Sequence, residues 1–196
     1  ESQGEKTKGW SDATTRTIKI TGDLHHFGPI NYTPVAVSNQ NMTSAVVSGM
    51  STLTSTKQMF YYCQTLTSLD LSNFDTSNVT TMTHMFYECS DLETLDCSNF
   101  DTSNVTTMTH MFNSCQSLSA LNVSSFDTSN VTNMQQMFQN DFYLTSLDLS
   151  SFDTSSVTSM YSMFYDCRVL TSITFGDNFD TSSVANMHTM FYDCKL

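Results

Sequence analysis

The chain has 196 residues and a formal net charge of −12, but only 13% of its residues are charged, about half the usual share of roughly a quarter. No apolar run approaches the roughly 20 residues that a membrane-spanning helix needs, so we expect no insertion into a membrane. The net charge comes entirely from residues 53–196, where fifteen acidic residues accompany three basic ones. Such an acidic surface repels nucleic acid and anionic lipid, which excludes both as partners.

Residues 1–52 differ from the rest of the chain and contain both prolines. We expect residues 1–9 to form a flexible tail. We expect residues 10–52 to form a capping segment that covers the first repeat of the region behind it. Within this segment, the residues from Thr15 to Thr21 alternate and end in Gly-Asp, which predicts a β-strand and a turn.

Residues 53–196 consist of about five and a half copies of one 26-residue unit. The same position is occupied by a valine in five copies: Val79, Val105, Val131, Val157 and, after 27 residues, Val184. The segment Asn-Phe-Asp-Thr-Ser-Asn-Val-Thr occurs at 73–80 and again at 99–106, and a Met-Phe segment followed by cysteine returns in most copies. Self-similarity at a fixed period is the mark of a repeat architecture.

Each copy combines two apolar periods. From Val79 to Cys89 the apolar residues recur at intervals of three and four, which predicts a short helix after an Asp-Thr-Ser cap. The Leu-x-x-Leu-x-Leu segment that begins at Leu66 alternates, which predicts a short strand. Because one copy cannot bury enough apolar surface alone, neighbouring copies must stack. The sequence therefore predicts an α/β solenoid with a parallel β-sheet on one face and short helices on the other.

The pattern M-F-x-x-C-x-x-L-x-x-L-x-L-S-x-F-D-T-S-x-V-T-x-M resembles the BspA-like leucine-rich repeats of bacterial surface proteins. It is similar in particular to the Met- and Thr-rich, 26-residue variety found in lipoproteins and wall-anchored proteins. The resemblance covers residues 53–196. It implies a leucine-rich-repeat fold, an extracellular or cell-surface location, and adhesion without catalysis. The sequence has no nucleophile elbow, phosphate loop or zinc-protease helix, so we expect neither an enzyme nor a cofactor.

One column of polar residues lies between the inward-facing leucines and is expected to point onto the concave face of the sheet. Leucine-rich repeats usually bind partners on this face, although a merely solvated sheet remains an alternative. The predicted binding residues are Asp70, Ser72, Asp96, Ser98, Asn122, Ser124, Asp148, Ser150 and Thr174. The first functional hypothesis is therefore an adhesion scaffold that binds an extracellular protein or glycan through a solenoid face.

The last repeat suggests a second hypothesis. Leu196 follows the last predicted helix, so the sheet edge formed by Ile173, Thr174 and Phe175 is expected to be uncapped. The N-terminal segment of another copy can cover such an edge, and contacts of this type build open filaments or layers. The alternative to adhesion is thus a structural subunit that self-assembles head to tail.

Most cysteines form a single column: Cys63, Cys89, Cys115, Cys167 and Cys194, with Asp141 at the remaining position and Cys97 outside the column. The sequence leaves open a ladder of reduced, buried thiols or disulfides between neighbours, such as Cys63–Cys89 or Cys167–Cys194. No Cys-x-x-Cys pair occurs, so a zinc site lacks its usual spacing.

Three other columns have a simple expected role. The aspartates are expected to form turns and cap helices, and a Ca²⁺ site between their stacked carboxylates is a less favoured alternative: Asp75, Asp101, Asp127, Asp153 and Asp180. The paired methionines of each copy are expected to fill the core. His84 and His110 share one column on the outer face, where we expect both to be solvated.

Overall fold

The computed structural model describes residues 16–21, 42–49 and 52–196, and this part of the chain contains seven short β-strands and no α-helix. In chain order the strands are β1 (Arg16–Thr21), β2 (Met42–Gly49), β3 (Ser68–Phe74), β4 (Thr94–Asp96), β5 (Ala120–Asn122), β6 (Ser146–Leu149) and β7 (Ser172–Phe175). Strands β1, β2 and β3 form one sheet, β4 pairs with β5, and β6 pairs with β7. All pairs are parallel. This is expected for β3 to β7, each of which comes from a successive copy of one unit.

The N-terminal segment contributes the first two strands. β1 confirms the strand predicted between Thr15 and Thr21. β2 was not predicted, because its buried residues Ala45 and Val47 are surrounded by serines that hide the alternation. The predicted tail over 1–9 lies outside the described residues. The capping role of 10–52 stays a prediction, although β2 pairs directly with β3.

Successive repeats lie side by side in register. Leu95 of β4 pairs with Leu121 of β5, and Leu147 of β6 pairs with Ile173 of β7, so both of these steps along the stack advance by 26 residues. A second line of parallel bridges joins all six consecutive copies: Ser55, Thr81, Thr107, Asn133, Ser159 and Asn186. The strands predicted from the leucine pattern are therefore confirmed.

The core consists of columns of identical side chains. One stack of phenylalanine rings has centroids 5.3–5.6 Å apart and planes within 7° of parallel: Phe60, Phe86, Phe112, Phe138, Phe164 and Phe191. A second row of rings has spacings of 5.8–6.2 Å: Phe74, Phe100, Phe126 and Phe152. The valines from Val79 to Val157 and the methionine pairs from Met82 to Met163 are fully buried, which confirms their predicted place in the core.

The predicted helices are wrong, because tight turns occupy the segments after each valine. We call these segments, 81–89 and its counterparts in the other repeats, the turn side. N–H groups on the turn side bond to carbonyls three residues earlier, as in Met85 to Met82 at 3.2 Å and Cys89 to Phe86 at 3.1 Å. Alternate N–H groups instead donate to the next repeat, as in Phe86 to Met111 at 2.9 Å. An α-helix would use these donors internally, so none would remain to join the repeats.

Backbone conformation explains why the turns do not continue as helices. Two residues in each repeat have φ between 51° and 63°, a left-handed conformation that interrupts a right-handed helix. These residues are Gln58, Tyr62, His84, Glu88, His110, Ser114, Gln136, Asn140, Ser162, Asp166, Thr189 and Asp193. Apolar residues at intervals of three and four therefore fit successive turns as well as they fit a helix.

The last repeat contains an extra residue, which accounts for the 27-residue interval before Val184. The insertion falls between Phe175 and Phe179, where the preceding repeat has one residue fewer. Gly176 lies so close to the preceding repeat that a Cβ atom there would be 2.1 Å from the carbonyl oxygen of Ser150. Only glycine fits this close backbone approach.

Candidate functional site

The nine predicted binding residues lie together on β3 to β7 or directly after these strands. We call this set the polar strand face, and every one of its side chains is exposed. The strand register places Asp96 beside Asn122 and Asp148 beside Thr174. The structure thus brings the predicted residues onto one surface that extends across five repeats.

Short turns fix the carboxylates of the polar strand face. Each carboxylate accepts a hydrogen bond of 2.9–3.0 Å from the backbone N–H of a serine two residues later: Asp70–Ser72, Asp96–Ser98 and Asp148–Ser150. Hydrogen bonds from these serines lower the pKa of all three carboxyls. The serine hydroxyl makes the largest contribution at Asp70, whereas the serine backbone N–H makes the largest contribution at Asp96 and Asp148. The polar strand face therefore carries negative charge at neutral pH. Asn122 makes the same turn with Ser124 at 3.2 Å, so an amide can replace the carboxylate.

A shallow depression lies at the start of the polar strand face. It is lined by Asp70, Ser72, Asp96 and Ser98 together with Asn99 and the leucines of β3. The amide of Asn99 donates to two carbonyls of the preceding repeat, at 2.8 and 3.2 Å, and holds β3 against the next copy. The depression therefore lies between two adjacent repeats that are joined by hydrogen bonds.

The second aspartate column forms turns away from the polar strand face. In Asp101, for example, Oδ1 accepts the N–H of Ser103 at 3.0 Å and its hydroxyl at 2.6 Å. The predicted helix-capping role is wrong because no helix follows, while the turn-forming role is present in every copy. Among the residues that the structure describes, no three His, Cys, Asp or Glu side chains are grouped so that they could hold a metal ion.

The cysteine column consists of free thiols, all buried except the partly exposed Cys194. Each thiol after the first donates to the carbonyl of a phenylalanine in the preceding repeat, for example Cys115 to Phe86 at 3.1 Å. Asp141 occupies the same position and is fully buried. Its Oδ1 accepts the N–H of Cys115 at 3.0 Å, whereas its Oδ2 has no partner. Burial raises the pKa of this carboxyl well above its usual value, which favours its protonated form.

His84 and His110 are not solvated as predicted but stacked, with ring centroids 4.5 Å apart and planes within 9° of parallel. The Nδ1 atoms of both rings are buried without a hydrogen-bond partner. Burial, followed by the proximity of His110 and Lys57, lowers the pKa of His84 to about 4. Burial also lowers the pKa of His110. The 26-residue interval places the rings in one column, but the sequence does not show how deeply the column is buried.

The four residues of the predicted assembly edge differ in exposure. Ile173 is half-buried, while Thr174, Phe175 and Leu196 are exposed. Met187, one of the paired methionines predicted to fill the core, is exposed, so the core prediction is wrong for this residue. The sequence analysis also missed two exposed apolar side chains of the last repeat, Phe191 and Tyr192. Their counterparts one repeat earlier face the following copy, and this comparison between copies would have identified them.

The fold and the repeated motif define a protein assembled from parallel copies of one 26-residue unit. A protein-family comparison matches residues 36–122 and 92–196 to the family described as "Mycoplasma protein of unknown function, DUF285". The chain therefore belongs to the DUF285 family. The comparisons with curated proteins and with solved structures gave no match. Within the described residues, no helix is long and apolar enough to cross a membrane.

Proposed function

We propose that this protein is a non-catalytic adhesion scaffold at the cell surface, and that its polar strand face binds an extracellular protein or glycan. The proposal includes a leucine-rich-repeat-like solenoid, in which the repeats present one continuous strand face. The observation that carries the proposal is the alignment of nine exposed polar side chains across five repeats. The parallel register and the repeated leucine motif support the solenoid.

The chemistry of the polar strand face suits recognition of a polar partner. Its serines, asparagine and threonine can donate and accept hydrogen bonds, and such short side chains lose little rotamer freedom when they are ordered. The ionised carboxylates of Asp70, Asp96 and Asp148 attract cationic groups and favour a partner with a basic surface. Because turns hold these carboxylates in place, little reorganisation is needed on binding.

Two triple variants test whether adhesion uses the polar strand face. The first variant, Asp70→Asn, Asp96→Asn and Asp148→Asn, removes three charges and keeps the turns, as Asn122 shows. The second is the matched control and removes three charges from the other aspartate column: Asp101→Asn, Asp127→Asn and Asp153→Asn. Binding is measured to immobilised basic matrix proteins and to a glycan array.

We expect the first variant to bind at least about tenfold more weakly than the control, because three charged contacts contribute roughly 0.5–1 kcal/mol each. Equal binding by the two variants would show that the polar strand face is not the adhesive surface. If the unmodified chain bound none of the proteins or glycans, adhesion itself would be contradicted.

We propose head-to-tail self-assembly as the second candidate, because apolar groups are exposed together in the last repeat. Five of the six large exposed apolar side chains in the described residues belong to this repeat: Phe175, Met187, Phe191, Tyr192 and Leu196. The backbone N–H groups of Thr189 and Phe191 also lack a partner within the described residues, whereas their counterparts Ser162 and Phe164 bond to the next copy. Such a surface favours contact with another chain.

Sedimentation at increasing protein concentration tests the second candidate. We expect Tyr192→Ser to reduce self-association, while Tyr143→Ser, which replaces a tyrosine of slightly greater exposure elsewhere, leaves it unchanged. A sharp monomer at high concentration for the unmodified chain would exclude assembly. That result would not affect adhesion, which needs only the polar strand face.

A further inference from the structure

Cys167 and Cys194 occupy equivalent positions in adjacent repeats and share one hydrogen-bond acceptor. The carbonyl oxygen of Phe164 accepts the backbone N–H of Cys167 at 3.2 Å and the thiol of Cys194 at 2.8 Å. The register from Ser159 to Asn186 has the same 27-residue offset as this cysteine pair. Adjacent parallel segments lie about 4.8 Å apart, which is within the Cα separation that a disulfide accepts.

We infer that Cys167 and Cys194 form a modification site, at which a small-molecule disulfide such as oxidised glutathione converts the two thiols of the folded protein into an intramolecular disulfide. The inference does not depend on the adhesive partner. It concerns only the last two repeats and the reagent that reaches them.

Exposure distinguishes this pair from the other neighbouring cysteines. Cys63 and Cys89 have the same arrangement, since the carbonyl oxygen of Phe60 accepts the N–H of Cys63 at 3.2 Å and the thiol of Cys89 at 3.2 Å. Both of these cysteines are fully buried, however, whereas Cys194 is partly exposed. A reagent in solution can therefore reach Cys194 in the folded protein but neither member of the first pair.

The electrostatics of the pair assign a role to each sulfur. The Cys167 thiol donates to the Phe138 carbonyl at 3.0 Å, and it can turn to donate to Cys194 once Cys194 is ionised. This interaction, the largest cause, lowers the pKa of Cys194. The same interaction, followed by burial, raises the pKa of Cys167. Because the thiolate is the nucleophile in disulfide exchange, Cys194 attacks first and Cys167 completes the reaction.

The reaction proceeds in two balanced exchanges. The Cys194 thiolate attacks one sulfur of oxidised glutathione, which forms a mixed disulfide and releases one glutathione thiolate. Cys167 gives up its proton and attacks the Cys194 sulfur, which forms the intramolecular disulfide and releases the second glutathione. In sum, two cysteine thiols lose two electrons and two protons, and oxidised glutathione is reduced to two molecules of glutathione.

Peptide mapping of the whole folded chain tests the inference. The protein is incubated with oxidised glutathione, its remaining thiols are blocked with N-ethylmaleimide after unfolding, and the digest is analysed by mass spectrometry. We expect the disulfide between Cys167 and Cys194 to form at least about tenfold faster than any bridge between Cys63 and Cys89.

Three substitutions test which cysteine acts in each of the two exchanges. Cys167→Ser should leave glutathione attached to Cys194, and Cys194→Ser should prevent modification of Cys167. Cys89→Ser removes a thiol from the same column elsewhere and should leave the reaction unchanged.

Circular dichroism checks that each variant is folded. If a variant does not fold, the inference is judged from the disulfides that form in the unmodified chain. Equal oxidation of Cys63 and Cys89, a glutathione adduct that persists on Cys194 of the unmodified chain, or no reaction at Cys194 would each overturn the inference.

Discussion

The turn side and the strand side of this protein join successive repeats in different ways. On the turn side, alternate N–H groups of every repeat before the last donate to the next one without interruption from Thr56 to Tyr192, and the longer phenylalanine stack runs through the same repeats. The strand side is divided into three separate sheets, with no ladder between β3 and β4 or between β5 and β6. The turn side therefore fixes the register of the stack, which leaves the strand side free to carry residues that vary between copies.

Removal of a ring from the turn side is expected to have the largest effect. Phe112→Ala deletes a fully buried ring that stacks at 5.6 Å on both Phe86 and Phe138, and large-to-small substitutions of this type cost about 3–5 kcal/mol. Ser124→Ala on the polar strand face should change the free energy of unfolding by less than about 0.5 kcal/mol. Urea denaturation measures both changes, and similar losses for the two variants would contradict the division of roles.

On the turn side, Asp141 occupies the position of a cysteine in the other repeats. Replacing it with cysteine should have an effect of intermediate size on the free energy of unfolding. Asp141→Cys removes a buried oxygen that has no partner and restores the thiol found at this position in the other repeats. We expect the variant to be more stable by about 1–3 kcal/mol at neutral pH, which is the cost of an unsatisfied buried polar group. An unchanged or lowered free energy of unfolding would show that the carboxyl is accommodated.

The effect of Asp141 should depend on pH with a defined sign. Above pH 3.8 the unfolded chain loses a proton that the folded carboxyl, with its raised pKa, retains. The stability of the unmodified chain relative to Asp141→Cys should therefore fall as the pH rises, which denaturation at about pH 5 and about pH 8 measures. Asp141→Asn serves as the control, because it removes the titration but leaves a polar group buried.

The stacked histidines should give the smallest effect, with the opposite pH dependence. The pKa of His84 is about 4 in the folded protein and 6.5 in the unfolded chain, so stability should fall as the pH decreases from 6.5 towards 4. With solvent screening taken into account, the loss should be about 1 kcal/mol. His84→Gln should reduce this loss, since Gln58 and Gln136 occupy the same position with positive φ. An acid profile identical to that of the unmodified chain would contradict this prediction.

The sequence predicted the repeat, the strands of the leucine motif and most of the core, because these follow from composition and spacing alone. The valine column from Val79 to Val157 fits only a buried position shared by all copies, and the leucine alternation that begins at Leu66 fits only a short strand. The helix prediction failed because the residues between Val79 and Cys89 fit helices and tight turns equally well. The positive φ of His84 and Glu88 decides between the two. Histidine, asparagine and aspartate, which favour positive φ, occupy these two positions in several copies, and the helix prediction did not use this signal.

The candidate site was predictable in position but not in detail. Alternation along the strands placed Asp70, Asp96 and Asp148 on the exposed face, where the structure has them. Their turns with the following serines, and the burial of Asp141 and His84, depend on packing between repeats that a single copy does not reveal. The positions that vary between copies thus identified the exposed surface from the sequence. The contacts between neighbouring copies, in contrast, could be identified only from the structure.

Scalar coupling across hydrogen bonds, measured by NMR, tests the stacked register most directly. The backbone N–H of Phe112 donates to the carbonyl of Met137 at 3.0 Å, which joins two adjacent repeats on the turn side. We predict a coupling between the Phe112 nitrogen and the Met137 carbonyl carbon. A coupling from the same nitrogen to the carbonyl of Met108, four residues earlier, would show an α-helix and contradict the account.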